Sequence, residues 1–127
     1  MIVLDTGALV ALDRDDTAMW VRVARAVADD VPVMVPAGAL AQAWRRGGPR
    51  QARLARALAD CEVASFDQRA KAAGELCSRA QTDDVVEASV ALVAALPTSR
   101  VLYTSDPGDL RHLLGFAGPH RPMIVTI

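Results

Sequence analysis

The sequence predicts an α/β fold, a three-layer sandwich with a mainly parallel sheet of about four to five strands and helices on both of its faces. Short apolar runs recur along the chain, and amphipathic segments with helical spacing separate them. The first run, residues 2–4, is apolar at every position rather than at alternate ones. Such a run is typical of a parallel strand that is buried on both faces.

Length and composition favour one folded domain. The 127 residues are enough for a single core and too few for two ordinary domains, so we expect one domain over residues 1–127. The chain is 52% hydrophobic and 23% charged, a balance that disordered proteins do not have.

The first strand and the first predicted helix are separated by a turn. The strand covers residues 2–4 and ends in the triplet Asp5-Thr6-Gly7, which has the composition of a turn. Residues 15–29 begin with carboxylates and continue with apolar side chains at helical spacing, so they predict an amphipathic helix.

The middle of the chain continues the alternation of strands and helices. Residues 32–36 predict a second strand, and residues 37–46 predict a helix that carries Gln42 and stops at two glycines and a proline. Alanine and leucine recur at helical intervals over residues 50–60, and residues 61–66 predict the third strand.

Two helices are predicted before the next strand, each with a candidate cap. Asp67 is a suitable N-cap for a helix over residues 68–80. Thr82 or Asp83 is a suitable N-cap for a helix over residues 84–96, which a proline ends.

The last part of the chain repeats the pattern of the first. Residues 101–103 predict a buried strand that runs into Asp106, and a short helix follows over residues 107–114. Residues 123–126 predict a final strand after two proline-containing breaks.

Acidic side chains stand where this fold could bring them together. Asp5 and Asp106 each follow a strand, and the carboxyl ends of neighbouring parallel strands rim one crevice. Asp84 and Glu87 lie three residues apart and share a helix face. Because clustered carboxylates repel one another, they favour a hard cation such as Mg²⁺ or Mn²⁺, which activates water and stabilises charge on a phosphodiester. Taken singly, an aspartate after a strand is often only a helix cap, and Asp109 is interpreted as a first-turn residue outside the site.

Charge is balanced overall but uneven locally. Lysine and arginine number 14 and the acids 15, so no global basic field indicates nucleic acid or an anionic membrane. Five arginines nevertheless lie between residues 45 and 56. Three of them follow Gln42 closely and could contact RNA phosphates, or could equally belong to a solvated or partner-binding helix face. These three are Arg45, Arg46 and Arg50.

The cellular location is predicted from sequence features that the chain lacks. No signal peptide is recognisable, and Cys61 and Cys77 form no CxxC pair. The apolar stretch at residues 2–12 is interrupted by Asp5 and is too short to span a bilayer. We therefore expect a cytoplasmic protein that does not bind membranes.

Four segments together resemble a PIN domain, in particular the VapC-type toxins of toxin-antitoxin modules, and the resemblance covers residues 2–126. The segments are IVLDTGALVAL, VPAGALAQAWRRG, DDVVEASVALVA and VLYTSDPGDL. The resemblance implies a PIN-like sandwich, a Mg²⁺- or Mn²⁺-dependent endoribonuclease, a homodimer, and a VapB-like antitoxin that inhibits it. It also implies metal-binding and catalytic roles for Asp5, Glu87 and Asp106, with Asp84 as a further catalytic acid.

The chain departs from the family pattern at two positions. Gln42 stands where the family commonly has a glutamate, and an amide offers a carbonyl oxygen but neither a charge nor a base. Glu87 stands where the family usually has an aspartate and has a longer side chain. Gln42 is therefore expected to be a weakened ligand, and Thr104 and Ser105 are expected to support the ligands by hydrogen bonding.

Two other functions are alternatives. The first is a PIN-fold binding protein whose nuclease activity is weakened or lost, which the departures at Gln42 and Glu87 favour. The second is a phosphotransfer receiver or phosphatase with an aspartate nucleophile. That function calls for a second nearby aspartate or a lysine at a strand end, whereas the chain has Gly7 and one lysine, Lys71, in a predicted helix.

Overall fold

The computed structural model describes residues 1–127 and contains five strands, seven α-helices and two short 3₁₀ segments. The strands are β1 (Ile2–Leu4), β2 (Val33–Pro36), β3 (Glu62–Ala64), β4 (Val101–Thr104) and β5 (Met123–Thr126). The helices are α1 (Thr6–Asp13), α2 (Thr17–Ala28), α3 (Ala37–Ala43), α4 (Ala52–Leu58), α5 (Ala70–Ala80), α6 (Val85–Ala94) and α7 (Pro107–Leu114).

All five strands form one parallel sheet in the order β3-β2-β1-β4-β5. Strand β1 is central, and its register with β4 pairs Ile2 with Val101 and Leu4 with Tyr103. All three residues of β1 are buried, as the continuous apolar run predicts for a strand covered on both faces. The predicted α/β class and the mainly parallel sheet are confirmed.

The helices form two layers. Helix α1 packs against α2, α3 and α4, whereas α6 packs against α5 and α7 and also contacts α3. The connections from β1 to β2 and from β2 to β3 cross the sheet in one direction, and those from β3 to β4 and from β4 to β5 cross it in the other. Because such crossovers are right-handed, the two groups of helices cover opposite faces and complete a three-layer sandwich.

The core is a single cluster of 29 buried hydrophobic residues. Leucines from both helical layers and from the sheet contribute its largest fully buried side chains, for example Leu9 in α1, Leu102 in β4 and Leu110 in α7. Burial of each such side chain contributes about 1.5–3 kcal/mol. Those in α1 and α7 anchor the helices that begin at the two strand-end aspartates.

Helix α1 was not predicted, since Asp5-Thr6-Gly7 was interpreted as a turn. The chain instead enters a helix directly after β1, and Asp5 is its N-cap. Its Oδ1 accepts a hydrogen bond of 2.9 Å from the backbone N–H of Ala8. A short polar residue can therefore end the strand and begin the helix in one step, with no turn between them.

Caps and boundaries differ from the prediction elsewhere. Asp67 does not cap α5 but begins a 3₁₀ segment, and its carboxylate accepts a hydrogen bond from the Ser65 hydroxyl. Helix α6 is capped by Asp84 rather than by Thr82 or Asp83. The helix predicted over residues 50–60 begins as a 3₁₀ segment, Gly48–Gln51. The other strand and helix boundaries agree with the prediction to within three residues.

None of the helices combines the length and the apolar character that crossing a membrane requires.

Candidate functional site

A cleft of about 360 Å³ opens at the carboxyl edge of the sheet, where β1 and β4 end side by side. Four of the predicted acids line it, together with Gln42 and Ser105. The lining residues are Asp5, Thr6, Gly7, Val10, Gln42, Asp84, Val86, Glu87, Val90, Ser105, Asp106 and Leu110. Ligands of open parallel sheets bind at this edge, so the cleft is the candidate functional site.

Asp5 is the most buried acid of the cleft, with 7% of its surface exposed. Burial raises the pKa of its carboxyl group, although hydrogen bonds from the Thr104 hydroxyl and from backbone N–H groups favour the charged form and oppose the shift. Thr104 also accepts a hydrogen bond of 2.8 Å from the N–H of Asp106. The fully buried Thr104 therefore connects the first strand-end acid to the backbone of the second, although it does not line the cleft itself.

Glu87 has the most perturbed carboxyl group of the site. Burial and then the negative charges of neighbouring acids raise its pKa to about 7. Asp84 is the strongest of these neighbours, and it also accepts a hydrogen bond of 3.0 Å from the N–H of Glu87 through Oδ1. The weaker contributions come from Asp109, Asp106 and Asp5. A carboxylate in this position lacks compensating positive charge.

Asp109 joins the site, although the sequence interpretation left it out. One carboxylate oxygen from each of Glu87, Asp106 and Asp109 lies within 4.8 Å of the others. Asp106 and Asp109 are three residues apart at the start of α7, a spacing that brings side chains to one helix face. The spacing of Asp106 and Asp109 is visible in the sequence. It indicates that Asp109 lies near Glu87 only once α6 is known to pack against α7.

Gln42 reaches the cleft from α3, but its carbonyl oxygen already has a partner. The Thr6 hydroxyl donates a hydrogen bond of 2.7 Å to Gln42 Oε1. With one lone pair of the oxygen engaged, the two amide hydrogens on Nε2 are the free donors of the side chain. Gln42 can therefore offer hydrogen bonds to an anion as readily as an oxygen to a cation.

The start of α1 lies unusually close to the end of β4. A Cβ atom on Gly7 would lie 2.7 Å from the Cβ of Ser105 and 3.1 Å from its backbone nitrogen. No side chain fits between these segments without displacing one of them. Glycine at position 7 therefore allows the segments that carry Asp5 and Asp106 to approach each other.

The predicted RNA-binding arginines lie outside the cleft. Arg45, Arg46 and Arg50 are exposed, and no lysine or arginine lines the cleft. Arg45 Nε donates a hydrogen bond of 2.8 Å to the backbone carbonyl oxygen of Gln42. The arginine-rich loop therefore begins directly beside the cleft but does not neutralise its acids.

The arrangement has the chemistry of a site for a hard cation. Carboxylate oxygens of Glu87 on α6 and of Asp106 and Asp109 at the start of α7 converge without a cationic side chain, and Mg²⁺ and Mn²⁺ prefer oxygen ligands of this kind. Asp5 at the end of β1 lines the same cleft but does not belong to this 4.8 Å cluster. Apolar side chains of Val10, Val86, Val90 and Leu110 line the rest of the cleft. No protein-family model and no curated protein matches this chain.

Proposed function

We propose that the protein is a Mg²⁺- or Mn²⁺-dependent endoribonuclease of the PIN type, similar to VapC toxins. The observation that carries the proposal is the clustering of carboxylate oxygens of Glu87, Asp106 and Asp109 within 4.8 Å of one another, two of them, Glu87 and Asp106, in a cleft that no lysine or arginine lines. The position of the cleft, at the carboxyl edge of a parallel sheet, and the acidic segments quoted above support the same activity.

The residues present fit a divalent cation. Neighbouring acids help to raise the pKa of Glu87 to about 7, so the metal-free cleft carries unfavourable charge repulsion that a cation would relieve. Glu87, Asp106 and Asp109, whose oxygens already lie within 4.8 Å of one another, would hold the ion, with Asp5 in the same cleft as the further acid that the resemblance implies. When bound, such an ion stabilises negative charge on a phosphodiester and lowers the pKa of water.

The other cleft residues orient the acids and the substrate. Asp84 and Asp5 begin α6 and α1, and their capping hydrogen bonds fix the backbone that carries the acids. Gln42, with its oxygen held by Thr6, directs its amide hydrogens to a non-bridging phosphate oxygen. Arg45 and Arg46 attract the flanking phosphates of a single strand, a contribution that weakens as salt rises.

Inhibition by a partner belongs to the same proposal. The enzyme acts in the cytoplasm as a homodimer and is restrained by a VapB-like antitoxin. The four segments that resemble VapC toxins are what support this part of the proposal.

A second candidate is a binding protein of the same fold that has lost nuclease activity. The amide of Gln42 favours it, because a neutral side chain replaces a charge at the site. This candidate predicts RNA or partner binding that survives substitution of the acids.

The experiment that separates the two candidates is an RNA cleavage assay with Mn²⁺ or Mg²⁺ on wild type, Asp5→Asn and Asp106→Asn. Asparagine is also a good N-cap, so Asp5→Asn removes the charge and leaves the start of α1 intact. Asp67→Asn, an exposed acid outside the cleft, is the matched control. We expect cleavage by wild type and the control and at least a hundredfold loss in both cleft variants. Equal cleavage by all four proteins would overturn the nuclease proposal.

A further inference from the structure

One face of the sheet is open beside β4 and β5. In β4, Leu102 and Thr104 are fully buried, whereas Val101 and Tyr103 on the opposite face are only half-buried. Their register partners on β5 continue this face: Met123 is 66% exposed and Val125 is half-buried. We call Val101, Tyr103, Met123 and Val125 the open face. Parallel sheets are normally covered on both faces, so an open strip of this kind is unusual.

Three arginines border the open face without acidic partners. Arg22 and Arg25 on α2 and Arg100 before β4 line a cavity of about 200 Å³, and Val101 and Tyr103 form part of its wall. No carboxylate lines this cavity. The only ion pair of the protein joins Arg53 to Asp15, so none of the three guanidinium groups is neutralised. Like charges that converge in this way repel one another and favour an anionic ligand.

The cavity also has an apolar part, which narrows the kinds of molecule that could carry the anionic group. Ile2, Ala26, Val31 and Val101 contribute to its lining, and its volume suits one or two aliphatic side chains. The guanidinium group of Arg22 already covers the ring of Tyr103, 5.1 Å from its centroid. The face of the Tyr103 ring that Arg22 covers is therefore not free to stack on a nucleic acid base.

A second copy of the chain does not complement this face. A two-fold dimer whose axis passes through the cavity would bring Arg22, Arg25 and Arg100 against the same arginines of the partner. The charge repulsion would oppose the association. The combination of apolar wall and arginine border instead matches a peptide segment that alternates apolar and acidic side chains.

We propose that the open face and its three arginines form a docking surface for an acidic amphipathic segment of another protein. An apolar side chain of the segment enters the cavity, and its flanking carboxylates bind Arg22, Arg25 and Arg100 in charge-assisted hydrogen bonds. The surface shares no lining residue with the acidic cleft, so it is independent of the proposed nuclease activity.

The test uses a fluorescein-labelled 14-residue peptide of aspartate and leucine, arranged as an amphipathic helix, and a matched peptide with asparagine for aspartate. Binding is measured by fluorescence anisotropy with wild type and with the double variant Arg25→Glu/Arg100→Glu. Both arginines are exposed and make no side-chain hydrogen bond, so their substitution leaves the fold intact. Lys71→Glu/Arg111→Glu changes the charge equally on the opposite helical layer and is the control.

We expect saturable binding of the acidic peptide to wild type and to the control, at least a tenfold weaker affinity for the arginine variant, and similarly weak binding of the asparagine peptide. In protein labelled at the methionine methyl groups, the peptide should shift the Met123 resonance and leave that of Met34, on the other side of β1, unchanged. Equal binding to both double variants would overturn the proposal. So would displacement of the peptide from the Met123 site by a single-stranded RNA oligonucleotide, or a Met123 shift that follows self-association on concentration.

Discussion

The hydroxyl of Thr6 donates a 2.7 Å hydrogen bond to the side-chain oxygen of Gln42, across the cleft between the first turn of α1 and the end of α3. This bond fixes the one amide side chain among the residues that line the acidic cleft. It gives Gln42 a defined orientation, which an unconstrained amide at the same place would not have.

Gln42→Glu should increase metal affinity and decrease the stability of the metal-free protein. The variant adds a negative charge to a cleft in which repulsion already helps to raise the pKa of Glu87 to about 7. We expect metal binding to tighten on the order of tenfold, and metal-free stability to fall on the order of 1 kcal/mol. Calorimetric Mn²⁺ titration and urea unfolding in chelator measure the two effects.

Gln42→Ala is the control for this prediction. It removes the amide without adding charge, so the affinity for Mn²⁺ should change by less than threefold if Oε1 is engaged with Thr6 rather than with the ion. A large loss of affinity in Gln42→Ala would identify the amide oxygen as a metal ligand and contradict the assignment of Gln42 to substrate binding.

Glu87 makes the stability of the metal-free protein depend on pH. Its pKa is about 7 in the folded state and 4.5 without the fold, so the folded protein binds this proton more tightly than the unfolded chain. The resulting stabilisation is complete below about pH 4.5 and is lost as pH rises through 7. Urea unfolding in chelator between pH 5 and 8 should show a falling free energy of unfolding, with a smaller fall in Glu87→Gln. The raised pKa of Asp5 acts with the same sign and so does not oppose this fall.

Metal affinity should follow the opposite trend. A divalent cation requires the deprotonated form of Glu87, so affinity should rise with pH up to about 7 and level off above it. In Glu87→Gln the affinity should be weaker, and the rise with pH should be reduced. A wild-type affinity that does not change between pH 5.5 and 8 would mean that Glu87 takes no part in binding.

Two substitutions of Asp84 separate its capping role from its charge. Asp84 accepts the N–H of Glu87 as the cap of α6 and is also the acid that raises the pKa of Glu87 most, after burial. Asp84→Asn retains a cap and should leave stability nearly unchanged, whereas Asp84→Ala should cost about 1 kcal/mol. Both should lower the pKa of Glu87, which a carbon-detected NMR titration of its carboxyl group would measure. A pKa that falls in only one of the two variants would contradict this separation.

The fold followed from the sequence wherever turn residues and apolar runs marked its elements. Helix α7 and strand β5 have the predicted bounds, because Pro107 and Gly115 delimit the helix and proline-containing breaks precede the strand. Helix α1 was missed, because Asp5 ends a strand and caps a helix at once. A local pattern cannot distinguish this from a turn.

The residues that form the site could be predicted better than the contacts that those residues make with one another. Asp5 and Asp106 came from the rule that ligands lie at the carboxyl ends of parallel strands, and the sheet places β1 beside β4. The bond between Thr6 and Gln42 joins residues 36 positions apart, and the proximity of Asp109 to Glu87 depends on how α7 packs on α6. Neither contact has a signature in local periodicity.

Gly7→Ala should destabilise the protein and disturb the cleft, because the added methyl group would lie 2.7 Å from the Cβ of Ser105. Such overpacking typically costs about 1–3 kcal/mol. The displacement should also move Asp5 relative to Asp106, so metal affinity should fall along with the free energy of unfolding.

Gly108→Ala is the matched control, since an added Cβ there meets nothing within 4 Å and the residue is also in the first turn of a helix. That variant should be neutral or slightly more stable, because alanine favours a helix by up to about 1 kcal/mol over glycine. Urea unfolding and Mn²⁺ titration of both variants provide the comparison, and equal stability of the two would mean that α1 and β4 can separate freely at Gly7.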